Sequence, residues 1–257
     1  MIMDLEKSLA LANKAARAAG EEILKIYHSD DFGVEFKRDQ SPLTKADKVS
    51  HQTISDILES SGLPILSEEG RDVAVEVRKQ WEYFWLIDPI DGTKEFLKRN
   101  GEFTVNIALI HQGMPILGVV LVPVTGDLYH ACQDKGAFKN GERIFSNQCE
   151  IEDSGLRVVA SRSHMNDQTR DFIENLNDPE IISKGSSLKL LMVAEGEADI
   201  YPRFGPTMEW DTAAAHAIVI EAGGKVVEND TNEPLGYNKK SLLNPYFIVE
   251  GKISNKV

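Results

Sequence analysis

Apolar positions recur with a helical period at the start of the chain and in short runs further along, and the first pattern predicts a helix. Over residues 4–27 the apolar side chains return in steps of three and four, which places them on one face of a helix. These positions are Leu5, Leu9, Ala12, Ala16, Ala19, Ile23 and Ile26. A short strand near 33–37, a loop containing Ser41 and Pro42, and a second helix over about 44–59 are predicted to follow.

The middle of the chain has shorter apolar runs separated by turn residues, which is typical of strands. Residues 63–70 (LPILSEEG) and 83–88 (YFWLID) each predict a strand that ends in carboxylates. The segment 103–144 has apolar runs separated by glycine and proline, as in an antiparallel meander. Before that segment, 94–99 (KEFLKR) predicts the start of a helix.

Helices and strands alternate after about residue 150. Strands are predicted at 156–161, 198–202, 225–228 and 246–251, and helices at 166–176, 187–196 and 211–224. The fold class is therefore α/β, with an α+β N-terminal half and an α/β C-terminal half. We place the boundary between an N-terminal domain, 1–150, and a C-terminal domain, 151–257, where the pattern changes.

Composition restricts the partners that the chain can have. Its 257 residues are 42% hydrophobic, which is enough for a sizeable core. The formal charge of −13, from 41 acidic and 28 basic residues, argues against a nucleic-acid polymer or an anionic membrane as partner. No apolar run approaches the ~18 residues that span a bilayer, so we expect no integral membrane segment. Cys132 and Cys149 are too few for a disulfide framework, so we expect a cytoplasmic protein.

Carboxylates stand at the edges of three predicted elements. Glu68 and Glu69 end one strand, Asp88 ends another with Asp91 in the following turn, and Asp211 opens a helix. Each group alone has an ordinary explanation, as part of a solvated loop, a turn or a helix cap. Taken together, hard oxygen ligands without His or Cys nearby fit Mg²⁺ better than zinc.

Gly92 and Thr93 add a second kind of site beside these carboxylates. They precede the predicted helix at 94–99, and a helix N-terminus offers unpaired N–H groups that can hold a phosphate. Metal-binding aspartates next to a phosphate site suggest phosphoryl chemistry. The residues DGT (91–93) are on their own a weak motif.

Longer motifs resemble one known family. DPIDGTKEF (88–96) and WDTAAAHAIVIEAGG (210–224) resemble two signatures of the inositol monophosphatase superfamily of Mg²⁺-dependent, lithium-sensitive phosphatases, and SEEG (67–70) resembles its first acidic group. Further stretches are similar to its 3′(2′),5′-bisphosphate nucleotidase branch, the CysQ type. They are SPLTKAD (41–47), GTKEFLKRNGEFTVNIALI (92–110), SRSH (161–164), GSSLK (185–189), YPRFGPT (201–207) and LLNP (242–245). The resemblance spans nearly the whole chain, and Ala215 departs from the glycine that relatives of this branch often have.

The resemblance implies a layered α-β-α-β-α sandwich with a metal centre in which the N-terminal domain supplies most ligands. The metal ligands would be Glu68, Glu69, Asp88, the main-chain carbonyl of Ile90, Asp91 and Asp211. Asp88 would bridge two Mg²⁺ ions, and Glu69 would touch a third, weaker one. In hydrolysis of this kind one ion activates a water and the other stabilises the leaving oxygen.

The same resemblance assigns residues to the water and to the substrate. Asp47 and Thr93 would orient and deprotonate the attacking water, and Glu68 would be the third catalytic residue. The substrate contacts would be Asp91, Gly92, Thr93, His164, Gly185, Ser186, Ser187, Lys189, Arg203 and Asp211. Arg203 takes the position where inositol monophosphatases carry a glutamate that holds a sugar hydroxyl, and its planar guanidinium suits a second phosphate. The residues alone leave open that His164 is a surface histidine and that Lys189 and Arg203 are solvated charges.

The expected activity is hydrolysis of adenosine 3′(2′),5′-bisphosphate to AMP and phosphate, in sulfate assimilation and sulfur metabolism. The partner would be this small molecule, and a homodimer is compatible with it. One alternative is an inositol- or sugar-phosphate monophosphatase, and another is a metal- and nucleotide-binding regulator without turnover. The presence of Asp47, Thr93 and every ligand carboxylate argues against the regulator.

Overall fold

The computed structural model describes residues 3–29, 31–37, 41–161 and 165–252. The helices are Leu5–Tyr27 (α1), Lys45–Leu58 (α2), Val75–Arg78 (α3), Thr93–Leu97 (α4), Asp167–Glu174 (α5), Leu188–Ala194 (α6) and Glu209–Glu221 (α7), with a 3-10 turn at Glu59–Ser61. The strands are Glu35–Phe36 (β1), Pro42–Leu43 (β2), Ile65–Ser67 (β3), Tyr83–Asp91 (β4), Thr104–His111 (β5), Met114–Val122 (β6), Asp127–Cys132 (β7), Gly136–Lys139 (β8), Glu142–Ile144 (β9), Arg157–Ser161 (β10), Glu180–Lys184 (β11), Ile200–Arg203 (β12), Lys225–Glu228 (β13) and Phe247–Glu250 (β14).

The fold is built around two β-sheets. The large sheet has seven strands in the order β3-β4-β5-β6-β7-β8-β9, and its pairs are antiparallel except β3 with β4. The small sheet has five strands in the order β11-β10-β12-β14-β13, in which β10 is parallel to both of its neighbours. The strands β1 and β2 form a separate antiparallel pair. The meander predicted over 103–144 is therefore confirmed.

Helices and sheets alternate in five layers. One face of the large sheet is covered by α1 and α2, in an apolar cluster that includes Ile54 and Trp85. Helices α6 and α7 pack between the two sheets, in a cluster that includes Phe84 and Phe247. Helix α5 covers the outer face of the small sheet through Ile173. This confirms the expected α-β-α-β-α order. Within the described ranges, none of the helices combines the length and the apolar character needed to cross a membrane.

The two sheets come from successive parts of the chain, but they are not separate in space. The large sheet ends with β9 at Ile144, and the small sheet begins with β10 at Arg157. Helix α7 belongs to the second half of the sequence and packs on β5 and β6 of the first half. One apolar cluster therefore extends through both halves, and a division at residue 150 stays a prediction.

Helix α7 approaches the large sheet closely. A Cβ atom on Gly118 of β6 would lie 2.0 Å from the carbonyl oxygen of Ala214, well inside contact distance. The helix presents small buried side chains in this region, namely Ala213, Ala214, Ala215 and Ala217. Because interiors are packed to high density, these small residues set the distance between helix and sheet. Ala215, the position that departs from the branch, is also buried in this helix.

Strand β4 differs from its prediction because it does not end at Asp88. It continues to Asp91, and its register with β5 shifts between Asp88 and Asp91. The irregularity lies where Pro89 removes an N–H from the ladder. Three elements that the sequence pattern did not predict are β2, α3 and β11. The loop expected at Ser41 and Pro42 is wrong for Pro42, which pairs with Phe36 of β1. Since β11 is an edge strand with mostly exposed residues, it lacks the alternation that identifies a half-buried strand.

Candidate active site

Three carboxylates from separate elements converge at one edge of the large sheet. Glu68 follows β3, Asp88 lies in β4, and Asp211 lies in the first turn of α7. Because β3 and β4 are parallel and Ser67 pairs with Ile87, the residues that follow these positions reach the same edge. One oxygen from each of the three carboxylates lies within 4.8 Å of the other two. A set with this spacing could hold a metal ion.

The cluster concentrates negative charge in a cleft where Asp88 is buried and Glu68 and Asp211 are half-buried. Asp88 is 1% exposed, and burial together with the charges of Glu68, Asp91 and Asp211 raises its pKa well above the usual range. Burial and the neighbouring Asp91 also raise the pKa of Asp211 well above its ordinary value. A divalent cation would offset this repulsion. Carboxylate oxygens without nitrogen or sulfur ligands fit Mg²⁺ rather than zinc.

Hydrogen bonds fix the chain around Asp88. The N–H of Ile90 donates to Asp88 Oδ1 at 3.0 Å, and Ser50 Oγ of α2 donates to the carbonyl of Pro89 at 2.9 Å. Thr93 Oγ1 lies 3.4 Å from the carbonyl oxygen of Ile90, and Ile90 lines the same cleft as Asp88. The residue expected to supply a main-chain ligand therefore lies beside the carboxylates.

Asp91 lines the same cleft, but its carboxylate is bonded to the second half of the chain. Ser186 Oγ donates to Asp91 Oδ2 at 2.6 Å, and the N–H of Ser187 donates to the same oxygen at 2.5 Å. Both serines directly precede α6. The Ser187 N–H therefore binds a carboxylate of the protein itself, although Ser187 was expected to contact substrate.

Glu69 faces a lysine that the sequence did not single out. Lys37 Nζ lies 2.7 Å from Glu68 Oε1 and 2.5 Å from Glu69 Oε1. Burial opposes the charge on Lys37, but the two glutamates outweigh burial and raise its pKa above the ordinary value. Burial also raises the pKa of Glu68 and of Glu69, although Lys37 acts in the opposite direction on both. Lys37 therefore joins the two acidic residues that follow β3.

Asp47 and Thr93 are in contact, as their expected shared role requires. Thr93 Oγ1 lies 3.3 Å from Asp47 Oδ1. The other oxygen, Asp47 Oδ2, accepts from the N–H of Thr44 at 2.7 Å and from its hydroxyl at 2.6 Å. Thr44 is the N-cap of α2, so a capping box fixes the Asp47 carboxylate. Burial raises the pKa of Asp47, although the bonds from Thr44 lower it.

Gly92 makes the turn that brings Thr93 to Asp47. Its φ of +98° lies in the region that favours glycine, and a Cβ atom there would lie 3.1 Å from the carbonyl oxygen of Glu102. A larger residue would therefore be strained at this position and would displace the neighbouring segment. The turn connects β4 directly to α4.

A cavity of about 470 Å³ opens beside the acidic cluster, which is within the range of ~300–1,000 Å³ for small-molecule sites. Asp91, Gly92 and Asp211 line this cavity and also the cleft that contains Glu68 and Asp88. The basic residues that line the cavity are Lys94, Lys98, Lys184, Lys189 and Arg203. Four carboxylates line it too, so the cavity has one more basic than acidic residue; on a chain with a formal charge of −13, this local balance favours an anionic ligand.

Lys189 and Arg203 are the two cations expected to bind a second phosphate, and both line the cavity. Lys189 is 6% exposed, and its Nζ donates to the carbonyl of Ser186 at 2.5 Å. Burial lowers the pKa of Lys189 to about 8, an effect that Asp91 opposes and Arg203 reinforces. Arg203 Nη2 donates to the carbonyl of Pro206 at 2.9 Å, while its Nε, buried, has no hydrogen-bond partner among the described residues.

The other residues expected to contact substrate fall into two groups. Gly185, Ser186 and Ser187 line the cavity. A Cβ atom on Gly185 would lie 3.0 Å from Glu102 Oε2, so glycine permits this close approach. His164 lies outside the described residues, and its contact with substrate stays a prediction.

The residues that the sequence did not predict are those whose side chains keep the predicted site residues in position. Thr44 had a signal, because the threonine and aspartate spacing in SPLTKAD matches a capping box. Lys37 had no sequence signal, since a single lysine at the end of a short strand is common. Thr104 and Asn106 of β5 also had no sequence signal, because the apolar pattern of β5 shows only that the strand is buried.

Comparisons with known proteins show which family this chain is similar to. Residues 4–255 match the inositol monophosphatase family. The 3′(2′),5′-bisphosphate nucleotidase CysQ of Salmonella typhimurium is 46% identical over 239 residues, which cover 91% of this chain and 96% of that relative.

Two solved structures show the same fold. The crystal structure of CysQ from Bacteroides thetaiotaomicron is 44% identical, with a TM-score of 0.87, and the match covers 97% of this chain and 98% of that one. An inositol monophosphatase from Anabaena is 26% identical, with a TM-score of 0.75, and the match covers 97% of this chain and 92% of that one. From the sequence match over nearly its whole length, the chain belongs to the inositol monophosphatase family.

Proposed function

We propose that this chain hydrolyses adenosine 3′(2′),5′-bisphosphate to AMP and phosphate with Mg²⁺ as cofactor, in sulfate assimilation and sulfur metabolism. The observation that carries the proposal is that Lys189 and Arg203 line the cavity that Asp91 and Asp211 share with the acidic cluster. A substrate with two phosphates can place one at the carboxylates and the other at the cations. The name of the Salmonella relative, a 3′(2′),5′-bisphosphate nucleotidase, supports this substrate class.

The proposed metal site takes two or three Mg²⁺ ions. Its ligands are Glu68, Glu69, Asp88, the carbonyl of Ile90, Asp91 and Asp211. Asp88 would bridge two ions, and the closeness of its carboxylate to those of Glu68 and Asp211 supports this role. An ion at Glu69 would have to displace Lys37. Bound Mg²⁺ would supply Lewis-acid stabilisation of the phosphoryl oxygens and a lower pKa for a water.

Asp47 and Thr93 are proposed to act on the attacking water. The Thr93 hydroxyl has one hydrogen, and its contact with Asp47 Oδ1 uses that hydrogen. Thr93 Oγ1 therefore keeps its lone pairs to accept a hydrogen bond from a water, and Asp47 is the final proton acceptor. Because Thr44 occupies Asp47 Oδ2, the other oxygen stays aimed at Thr93. Glu68 lies close enough to raise the pKa of Asp47 and is the third member of this catalytic group.

The reacting phosphate is proposed to bind in the cleft and the other phosphate in the cavity beside it. Gly92 and Thr93, at the start of α4, would contact the phosphate that reacts. Lys189 and Arg203 would contact the phosphate that does not react. Gly185, Ser186 and Ser187 line the same cavity, and His164 completes the proposed set of substrate contacts.

Arg203 distinguishes this proposal from the alternative within the family. An inositol- or sugar-phosphate monophosphatase needs an acceptor for a sugar hydroxyl, whereas a guanidinium only donates hydrogen bonds. The contact between Asp47 and Thr93 argues against a regulator without turnover, since a binding protein has no need of it. A homodimer, lithium sensitivity and a cytoplasmic location stay predictions, and the two free cysteines support the last of them.

Phosphate release from a panel of substrates tests the proposal. The panel contains adenosine 3′,5′- and 2′,5′-bisphosphate, adenosine 3′-monophosphate, inositol 1-phosphate and fructose 1,6-bisphosphate, each with and without Mg²⁺. We expect the highest kcat/KM for an adenosine bisphosphate, no release with a chelator, and a much lower rate of release in Asp47→Asn. A higher kcat/KM for inositol 1-phosphate would establish the monophosphatase alternative. Absence of release from every compound would establish the regulator.

A further inference from the structure

The carboxylate of Asp91 ends a line of polar side chains between the two halves of the chain. Ser186 Oγ donates to Asp91 Oδ2 at 2.6 Å, and Thr104 Oγ1 lies 2.8 Å from both Ser186 Oγ and Ser187 Oγ. Ser187 Oγ in turn lies 3.1 Å from Asn106 Oδ1. Thr104, Asn106 and Ser187 are 0%, 1% and 2% exposed. These side chains must therefore satisfy one another, because bulk water does not reach them.

The number of hydrogens fixes the direction of these bonds. Each hydroxyl has one hydrogen. Since Ser186 uses its hydrogen on Asp91, Thr104 must donate to Ser186, and Ser187 must donate to Thr104. Asn106 must then donate to Ser187, which requires the oxygen and nitrogen of its amide to be exchanged. In its present orientation Asn106 Nδ2 is buried without a hydrogen-bond partner among the described residues, and the exchange gives this donor a partner.

The strand register explains why these residues lie beside the acidic cluster. In the ladder between β4 and β5, Asp91 pairs with Thr104 and Asp88 pairs with Asn106. Two members of the line are therefore placed opposite two of the proposed ligands by the sheet itself. The turn at Ser186 and Ser187 supplies the other two members and joins them to Asp91 from the second half of the chain.

The backbone of Ser186 is strained, which indicates that its hydroxyl is held in place at a cost in conformational energy. Its φ of +51° lies in the left-handed region that residues other than glycine rarely adopt. Lys189 Nζ donates to the carbonyl of the same residue at 2.5 Å, which helps to hold the turn. Strained backbone of this kind persists where the surroundings require it, often at functional sites.

We propose that Asn106, Ser187, Thr104 and Ser186 form a directed hydrogen-bond chain that orients Asp91 as a metal ligand. The four are positioning residues, since they act through Asp91. Bonds in such a chain strengthen one another, and the groups bonded to a ligating carboxylate affect metal affinity. The inference rests on the proposed function, because Asp91 needs to be oriented in this way only if the site binds Mg²⁺.

Thr104 offers the sharpest test, because its hydroxyl bonds to the two serines and not to Asp91. Mg²⁺ is titrated by calorimetry, without substrate, into wild type, Thr104→Val and Thr104→Ser. Valine keeps the shape of threonine without the hydroxyl, whereas serine keeps the hydroxyl without the methyl group. We expect Thr104→Val to weaken Mg²⁺ binding roughly tenfold and Thr104→Ser to stay within about twofold of wild type. Ser183→Ala removes an exposed hydroxyl that is not part of the hydrogen-bond chain and is the control.

A second variant covers the case in which Thr104→Val does not fold. Ser186→Gly removes the last hydroxyl, and glycine suits the left-handed backbone there, so the turn is retained. We expect the same loss of Mg²⁺ affinity, roughly tenfold. Wild-type Mg²⁺ affinity in Thr104→Val or in Ser186→Gly would contradict the proposed hydrogen-bond chain. An equal loss of affinity in Thr104→Ser and Thr104→Val would contradict it as well. If wild type itself bound no Mg²⁺, the proposed function would fail first, and the role of Asp91 would fail with it.

Discussion

Lys37 Nζ lies 2.7 Å from Glu68 Oε1, which places an ammonium group on a carboxylate of the proposed metal site. Glu68 is one of the three residues whose oxygens lie within 4.8 Å of one another. The ammonium and a metal ion would therefore compete for the same negative charge. Lys37 joins Glu69 as well, so both acidic residues after β3 are involved.

Replacing Lys37 by methionine should tighten Mg²⁺ binding in the absence of substrate. The substitution keeps a long apolar side chain and removes the competing charge, and we expect an increase of about fivefold, as for the loss of a partly exposed ion pair worth ~1 kcal/mol. Calorimetric titration of Mg²⁺ measures it. Lys225→Met, which removes a lysine paired with Glu250 in the small sheet, is the matched control and should leave the affinity unchanged. Weaker binding in Lys37→Met would show that the lysine supports the site instead.

Thr93→Ala and Asp47→Asn should lower kcat and leave Mg²⁺ affinity and KM broadly intact. Both residues are proposed to act on the attacking water, and their side chains form one unit at 3.3 Å. The double variant should therefore lose about as much as the worse single variant. Steady-state kinetics at saturating Mg²⁺ measure all three, and Thr93→Ser, which keeps the hydroxyl, is the control. If the two losses multiplied, the residues would act independently.

Asp88→Asn should abolish nearly all turnover and also stabilise the metal-free protein. Asp88 is proposed to bridge two ions, so its loss removes a ligand from both. Without metal, the same carboxylate is buried beside Glu68, Asp91 and Asp211, and removing its charge relieves their repulsion. Phosphate release and the midpoint of thermal unfolding in a chelator give the two readouts. Asp56→Asn, an exposed change on α2, controls for the loss of charge. Substantial turnover in Asp88→Asn at saturating Mg²⁺ would refute the metal assignment.

Arg203→Met should lower kcat/KM for adenosine 3′,5′-bisphosphate about tenfold to a hundredfold. A hydrogen bond to a charged group contributes roughly 1.5–3 kcal/mol, and Arg203 would make it only with the phosphate that does not react. Adenosine 3′-monophosphate lacks that phosphate, so its kcat/KM should barely change. The decisive quantity is the ratio of the two values in wild type and variant. An equal fall for both substrates would mean that Arg203 supports the fold or the metal site.

His216 should make the fold less stable as the pH falls below neutral. It is buried in α7, its Nδ1 lies 2.9 Å from the hydroxyl of Tyr237, and burial lowers its pKa to about 3 from the ordinary 6.5. Between these values the unfolded chain binds a proton that the folded protein excludes, so stability decreases as the pH falls. One pH unit corresponds to about 1.4 kcal/mol, so the loss by pH 5 is roughly 2 kcal/mol.

Urea unfolding at pH 7.5 and at pH 5 measures this contribution. His216→Gln cannot take up the proton, so its stability should change less between the two pH values than that of wild type. His28→Gln, at an exposed position, should follow wild type. Equal pH dependence in wild type and His216→Gln would show that other groups cause the loss of stability.

Glu68, Asp88 and Asp211 could be picked out as candidate ligands because each stands near the edge of a predicted element, but only the resemblance to the family indicated that they meet. Apolar runs identified β3, β4 and α7, and the acidic residues at their edges were visible as departures from those runs. The place where β4 ends could not be predicted in this way. Pro89 suggests a break after Asp88, yet β5 continues to pair with the chain as far as Asp91.

The residues that position the carboxylates could not be predicted, because their contacts join distant parts of the chain. Thr104 and Ser186 are separated by 82 positions, and the sequence shows neither the strand register nor the turn that joins them. Lys37 and Glu68 are 31 positions apart, and their contact depends on how the segment around β1 lies on the cleft. Local patterns report burial and secondary structure, whereas such pairings depend on tertiary contacts.

The close approach of Gly118 to Ala214 has a consequence for the dimensions of the metal centre. Asp211 is carried by α7, while Glu68 and Asp88 are carried by the large sheet, so the gap between helix and sheet helps to determine how far apart these carboxylates stand. A single methyl group at position 118 would widen that gap without contacting any of the carboxylates. We therefore expect a substitution at Gly118, in the protein interior, to change the spacing of the proposed ligands and with it the size of the cation that the site accepts.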